Sequence, residues 1–151
     1  MFSTVRYFIK TAIGFLILGL LTGAFMMISK NIFHQGYPYS MITAHTHLIL
    51  IGFVMMMIMG VAIWFFPRPE KEDKKYNPTL ILIVYGIITI STFIRFVSEI
   101  INGYLQDEIS AVIITLASLG QLLSFMLFFY SIWGRIRPIG SHIREAKGEK
   151  F

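Results

Sequence analysis

The sequence contains no cysteine among its 151 residues. That absence excludes disulfide bonds, thiolate metal sites, iron–sulfur clusters and the covalent attachment of c-type haem. Charge is scarce as well, because Asp, Glu, Lys and Arg make up 14% of the chain, whereas soluble domains carry about a quarter. Hydrophobic residue types reach 56%. So few charges cannot cover a surface that faces water, and the composition therefore indicates a membrane protein.

Four apolar runs are separated by short polar connections. Each run covers the roughly 20 residues that are needed to cross about 30 Å of hydrocarbon. Lipid offers a peptide backbone no hydrogen-bond partners, so helices are the expected form. The first run is too long for the apolar core of a signal peptide, and we expect it to be retained. The predicted fold is an all-α, integral membrane four-helix bundle in one domain, with helices at Tyr7–Ile28, Thr43–Phe66, Thr79–Ile101 and Ile109–Trp133.

Lysine and arginine are distributed unevenly over the connections. Two precede or open the first run, four lie between the second and third runs, and five follow the fourth, whereas the opposite connections hold only Lys30. An excess of basic residues marks the cytoplasmic side of a membrane span. We therefore expect a multi-pass protein of the inner (cytoplasmic) membrane, with both termini and the 134–151 tail in the cytoplasm. Charges placed beside apolar runs also favour lipid over nucleic acid as the partner of this chain, whose net charge is +5.

Two histidines, His45 and His47, open the second run. Polar groups are costly in hydrocarbon, so each needs a reason to be there. In the predicted orientation both lie near the outer face of the membrane. An α-helix turns by about 100° per residue, so the two side chains point about 200° apart. They cannot both ligate one iron from the same helix.

Gly52 and Met56 follow His45 on nearly the same face of the predicted helix. A glycine there leaves room for a flat ring against the helix, and a neutral imidazole in such a slot is a good axial ligand for haem iron. The alternative is that both histidines lie among the lipid headgroups and bond to water or to neighbouring helices. Intrahelical spacing leaves both interpretations open.

Arg95 and Glu99 are four residues apart in the third run and therefore share a helix face. One interpretation is an internal ion pair, with the Arg95 side chain extending toward the interface. The other is that Arg95 binds an anionic group at the depth of His45, such as a haem propionate.

Smaller patterns concern packing. Gly19-x-x-x-Gly23 in the first run permits a second helix to approach closely, either within the bundle or between copies. Asn102-Gly103 signals the turn between the third and fourth runs. The polar side chains of the fourth run are expected to hydrogen-bond between helices, and they are Ser118, Gln121 and Ser124.

The second run resembles a known family. The segment resembles helix two of the catalytic subunit of haem–copper oxidases, a superfamily that includes nitric oxide reductases. It reads Tyr39-Ser-Met-Ile-Thr-Ala-His45-Thr-His-Leu-Ile-Leu-Ile-Gly52-Phe-Val-Met-Met-Met and ends near Trp64-Phe-Phe-Pro67. The resemblance covers about the first half of the chain, Tyr7–Pro67. It implies that His45 is an axial ligand of the low-spin haem, near the outer face of the membrane.

The chain also departs from that family. An oxidase catalytic subunit has many more helices, and the later ones supply the other low-spin haem ligand, the high-spin haem ligand and the copper histidines. The third and fourth runs here contain no histidine. We therefore expect a reduced relative that keeps the low-spin haem half and cannot build an oxygen-reducing centre alone.

The leading hypothesis is a membrane b-type cytochrome for electron transfer. Haem b would bind through His45 beside Gly52 and Met56, with Arg95 on a propionate and His47 on a second haem or as a second iron ligand. A homo-oligomer is expected, because one four-helix bundle covers a porphyrin poorly, and quinol or a cytochrome is the expected redox partner.

The sixth ligand of the iron stays open. The candidates are His47 or His45 of a neighbouring subunit, His34 in the outer loop, or a methionine. An unfilled position would instead let the haem bind a small gas such as nitric oxide. Two rival hypotheses follow: a membrane protein that binds or senses gas or copper, and a cofactor-free structural or assembly subunit.

Overall fold

The computed structural model describes residues 2–66, 77–136 and 148. Within these residues every regular element is helical. Four helical spans in this part of the chain are long and apolar enough to cross a membrane, at Ser3–Asn31, Tyr39–Phe65, Pro78–Leu105 and Glu108–Arg135. The prediction of an all-α chain with four membrane-spanning helices is therefore confirmed, and the architecture is that of a multi-pass membrane protein.

The helices pack side by side in chain order. They are α1 (Phe2–Asn31), α2 (Tyr39–His47), a π-helical segment (Leu48–Met55), α3 (Met56–Phe65), α4 (Pro78–Leu105) and α5 (Glu108–Ile132), which is followed by a 3₁₀ turn at Trp133–Arg135. Helix α1 packs along the second span, α2 packs on α4, and α4 packs on α5. Residues 32–38 connect α1 to α2. We call their side of the bundle the first-loop end, and α4 ends and α5 begins there as well.

The second span widens in its middle. Over Leu48–Met55 the helix is π-helical, which the sequence did not predict. A π-helix bonds each residue to the fifth along the chain, and such turns are frequent at functional sites. The segment begins directly after His47 and contacts both α1 and α4. The span also begins earlier than the predicted Thr43. Its first helical residue is Tyr39, which directly follows Pro38 in the extended conformation.

Helix α4 begins with a side-chain cap. The backbone N–H of Thr79 donates to the Asn77 side chain at 2.8 Å, and Pro78 takes the first helical position, where its missing N–H costs nothing. The predicted turn at Asn102-Gly103 is wrong, because both residues lie inside α4. A Cβ at position 103 would collide with the side chains of Ser40 and Pro38, so the glycine serves the close approach of α4 to the first loop.

Helix α5 begins at an acidic cap. The Ser110 hydroxyl and the Ser110 backbone N–H both donate to the Asp107 carboxylate, the latter at 3.0 Å. These two hydrogen bonds, the hydroxyl first, favour the ionised form and lower the pKa of Asp107 below its ordinary value of 3.8.

The Asp107 cap predicts a loss of stability in acid. A group whose pKa is lowered by folding stabilises the folded state above its unfolded pKa, and that contribution disappears as the pH falls through the folded value. Wild type should therefore lose thermal stability below about pH 3.8. Asp107→Asn keeps a capping oxygen at every pH, so its melting temperature should fall less between pH 6 and pH 3 (roughly the range over which Asp titrates). An equal fall in both proteins would contradict the assignment.

Some predicted features lie outside the described residues. They are Pro67 and most of the charged second connection, the tail residues 137–147 and 149–151, and with them most of the cations behind the orientation prediction. Arg135 is the described cation of the predicted tail. It is buried, and its guanidinium donates to the carbonyl oxygens of Ile63 and Phe66 at 3.1 Å each, so it caps the end of the second span.

Candidate functional site

His45 lies half-buried on the side of α2 that faces α1. Its Nδ1 is 2.9 Å from the carbonyl oxygen of Gly19. A carbonyl oxygen can only accept a hydrogen bond, so Nδ1 carries the proton and Nε2 keeps its lone pair. Metal-ligating histidines use this arrangement, in which one ring nitrogen is fixed by a hydrogen bond and the other binds the metal.

A glycine on α1 makes room for the His45 ring. A Cβ at position 23 would lie 3.0 Å from Cε1 of His45 and 3.7 Å from Nε2. Gly19, one turn earlier, lets the side chains of Ile49 and Leu48 approach the helix. The Gly19-x-x-x-Gly23 pattern therefore serves helix packing within the bundle, one of the two alternatives that the sequence left open.

A groove of about 640 Å³ lies beside His45 at the first-loop end. Its walls are mostly apolar and its mouth carries polar groups, and the lining residues are Leu20, Gly23, Ala24, Met26, Met27, Lys30, Asn31, Tyr37 and His45. Leu20 and Met27 are 58% and 66% exposed, so the groove opens on the side of the bundle. Among the described residues, Nε2 of His45 has no hydrogen-bond partner.

Gly52 and Met56 are on the inside of the bundle and do not line this groove. A Cβ at position 52 would lie 2.9 Å from the Phe15 ring, so that ring fills the space in which the sequence predicted a flat ligand. Met56 is fully buried in the apolar core. The groove that His45 lines is therefore on another side of the second span from the predicted slot.

His47 points away from His45 and toward α4. Its Nε2 is 2.9 Å from Nη2 of Arg95, and its Nδ1 is 2.9 Å from the carbonyl oxygen of Thr43. Arginine can only donate, so Nε2 of His47 accepts and Nδ1 carries the proton. Both nitrogens of His47 are thereby engaged, and the two imidazoles face different helices, as the helical spacing predicts.

Arg95 is surrounded by acceptors. Nε donates to Oε1 of Glu99 at 2.9 Å, and Nη1 donates to Oε1 of Gln121 on α5, also at 2.9 Å. Gln121 in turn donates to the hydroxyl of Thr92 at 3.1 Å. We call His47, Arg95, Glu99 and Gln121 the polar cluster. It joins α2, α4 and α5 and realises the ion pair that was one of the two interpretations of Arg95 and Glu99.

The polar cluster is nearly dry. The Glu99 side chain is 4% exposed, and its Oε2 is buried with no hydrogen-bond partner among the described residues. Oε1 of Glu99 lies 3.4 Å from Nδ1 of His47 as well as accepting from Arg95. The negative charge of the Glu99 carboxylate is thus paired with the positive charge of the Arg95 guanidinium through Oε1, so the two charges neutralise each other inside the bundle.

The fourth span contributes interhelical hydrogen bonds only in part. Gln121 bonds to Arg95 and Thr92 of α4, and the Ser124 hydroxyl donates to the carbonyl oxygen of Val84 at 3.1 Å, as predicted. Ser118 instead donates to the carbonyl oxygen of Ile114 in its own helix. The reason is geometric, since a serine hydroxyl can always reach the carbonyl one turn back.

The five predicted site residues are therefore separated. His45 alone lines the groove, His47 and Arg95 belong to the polar cluster, and Gly52 and Met56 belong to the core. Within residues 2–66, 77–136 and 148, no three His, Cys, Asp or Glu side chains come close enough to hold a metal ion.

Sequence reasoning missed the α1 side of the groove. Gly23, Met26, Met27 and Lys30 face His45 across the helix pair. Their spacing was a readable signal, because positions 23, 26, 27 and 30 form one stripe of an α-helix. What the sequence did not indicate was that this stripe meets the His45 face of the second span.

Comparison with known proteins supplies no assignment. No family model matches the chain, and neither a curated protein nor a solved structure matches it. The chemistry of the His45 groove therefore has to be argued from its own residues.

Proposed function

We propose that this protein is a membrane haem protein that binds haem b through Nε2 of His45 and serves in electron transfer. The observation that supports this most directly is the hydrogen bond from Nδ1 of His45 to the Gly19 carbonyl oxygen. It fixes the ring plane and leaves Nε2 of His45 available as a ligand, the arrangement that metal-ligating histidines use. The resemblance of Tyr39–Pro67 to the haem-binding helix of haem–copper oxidases points to the same residue.

The groove suits a large planar ligand. Its volume of about 640 Å³ lies within the range of roughly 300–1,000 Å³ that is usual for cofactor and ligand sites. Its walls offer apolar surface at Leu20, Ala24 and Met27, next to the His45 ring that packs over Gly23. Haem supplies a reversible one-electron couple when bound. In this proposal the protein supplies the His45 imidazole as the iron ligand, excludes water with the apolar walls of the groove and holds the ligand against α1.

Orientation follows the distribution of basic residues. Cytoplasmic termini in the inner membrane place the first-loop end, with its groove, at the outer face. Electrons would then be received from quinol in the membrane and passed to an acceptor on that side, such as a cytochrome. In this proposal the protein transfers electrons and does not reduce oxygen.

The second axial position defines how the haem is used. His47 is held by Arg95 and Thr43, so a second ligand has to come from elsewhere. In a homodimer, His45 of a second copy would be a further candidate ligand for the haem iron, because the groove opens on the side of the bundle. If the position stays open, the haem binds a gas such as nitric oxide. A reduced spectrum that shifts with carbon monoxide distinguishes the second case from the first.

The proposal is tested by the colour of the purified protein. Full-length protein in detergent should show a Soret band and a reduced-minus-oxidised spectrum of a b-type haem, either as isolated or after addition of haem. A colourless sample that also fails to take up haem would contradict the proposal and favour a cofactor-free structural or assembly subunit.

Filling the space at Gly23 should remove the site. In Gly23→Val the Cβ alone lies 3.0 Å from Cε1 of His45, and the added methyl groups force the ring away from its present position. We expect about a ten-fold weaker haem affinity, the lower limit for losing the orientation of a metal ligand. Gly14→Val is the matched control on the same helix, because a Cβ there meets nothing within 4 Å. Haem titration measures both, and equal affinities would contradict the placement of the site.

Copper is a second candidate because of two methionines. Met26 and Met27 line the groove with His45, and thioether and imidazole ligands together suit Cu(I). Elemental analysis of the purified protein separates the two proposals, since it finds iron in one case and copper in the other.

A further inference from the structure

The mouth of the groove has a cation above His45. Lys30 lies on α1 seven residues after Gly23, and both residues line the groove. Seven residues rise about 10 Å along an α-helix and return to nearly the same face. A ligand that lies beside the His45 ring, which packs over Gly23, and extends toward the first loop therefore brings its upper edge to the Lys30 ammonium group.

The other described cations are not available to this groove. Arg6 and Lys10 belong to the first turns of α1, and Arg135 follows α5, so all three are at the opposite end of the bundle from the first loop. Arg95 is at the correct end, but its Nε, Nη1 and Nη2 donate to Glu99, Gln121 and His47. Among the cations of the described residues, Lys30 is therefore the one placed to meet an anionic group of a ligand in the groove.

Neutral donors accompany the lysine. Asn31 and Tyr37 also line the groove and bring an amide and a phenol to the same end. The opposite part of the groove consists of Leu20, Ala24 and the methionines. This division, apolar below and cationic with hydrogen-bond donors above, is suited to an amphipathic ligand whose acidic groups point toward water.

We propose that Lys30 binds the carboxylate side chains of the porphyrin at the mouth of the groove, the role that the sequence suggested for Arg95. The inference rests on the proposed haem function. It adds that the site prefers a porphyrin whose acid groups are free. Lys30 is exposed, so its stem packs along the helix while its ammonium group meets the carboxylates at the membrane surface.

Esterified haem tests this pairing. Full-length protein in detergent, freed of haem, is titrated with haem and with haem dimethyl ester, in which both carboxylates are neutral. An exposed ion pair is worth up to about 1 kcal/mol, so Lys30→Ala should weaken haem binding about 3- to 5-fold and leave binding of the ester unchanged. Charge reversal in Lys30→Glu should weaken haem binding further, while Lys10→Ala, at the other end of the same helix, should behave as wild type.

The possible outcomes separate the two proposals. If wild type binds neither porphyrin, the haem function itself fails and the role of Lys30 fails with it. If wild type binds haem but Lys30→Ala binds it equally well, or weakens haem and ester alike, the haem function stands and the role of Lys30 is overturned. The inference is supported if Lys30→Ala weakens the binding of haem but not of its dimethyl ester, and if Lys30→Arg keeps the haem affinity of wild type.

Discussion

His45→Ala is expected to abolish the Soret band, whereas His47→Ala keeps it. His45 presents a free Nε2 to the groove, while both nitrogens of His47 are engaged by Arg95 and Thr43. Loss of the axial ligand should lower the haem content per protein at least about ten-fold. The two variants are a matched pair, because each removes one imidazole from the same short helix. Absorbance spectra at equal protein concentration provide the measurement.

The reverse pattern would contradict the site described above. If His47→Ala were colourless and His45→Ala coloured, the ligand would be in the polar cluster and the Gly19 hydrogen bond would be structural. Far-UV circular dichroism of both variants shows whether the helices are retained. Addition of imidazole offers a second control, since it should restore a Soret band to His45→Ala if the groove is still intact.

Arg95→Leu is expected to destabilise the bundle by about 3–5 kcal/mol. The substitution leaves the Glu99 carboxylate, whose side chain is 4% exposed, without its counter-ion, and it removes the donor to His47 and Gln121. Double-mutant cycles in membranes assign only about 0.6 kcal/mol to an average interhelical hydrogen bond. The larger value is expected here because the cost is that of an unpaired buried charge rather than of one lost bond.

The double variant Arg95→Leu with Glu99→Leu is the control for that explanation. Replacing both charges with apolar side chains removes the uncompensated carboxylate, so the double variant should be more stable than Arg95→Leu alone by at least about 1 kcal/mol. Unfolding in detergent mixtures of rising SDS content, followed by circular dichroism, compares the variants. Haem content should not change in either variant, since the polar cluster does not line the groove. A double variant less stable than the single one would show that the cluster contributes chiefly as hydrogen bonds.

The spans were predictable because hydropathy alone determines them. Twenty apolar residues in a row leave the backbone one economical structure in lipid, so all four helices appeared in the right order. Their ends were less accurate. The Asn102-Gly103 turn signal was misleading because Gly103 is needed where α4 passes Ser40, and a contact distant in sequence overrides a local turn preference.

The sequence indicated contacts of the site within one helix but not those between helices. The Arg95–Glu99 pair is within one helix, so its spacing indicated the contact that exists. The partners of His45 and His47 belong to other helices, and no intrahelical rule states which faces meet. The π-helical segment adds to this difficulty, because its wider turns change the helical phase between His45 and the residues after it.

The partner that orients His45 is the main chain. Where a carboxylate side chain holds a metal-ligating histidine, replacing that side chain reveals its contribution. The Gly19 carbonyl oxygen remains whatever residue occupies position 19. A substitution at position 19 therefore does not remove the acceptor itself, and a protein engineer who wishes to retune this imidazole must change the shape of the helix surface or replace the peptide bond with an ester.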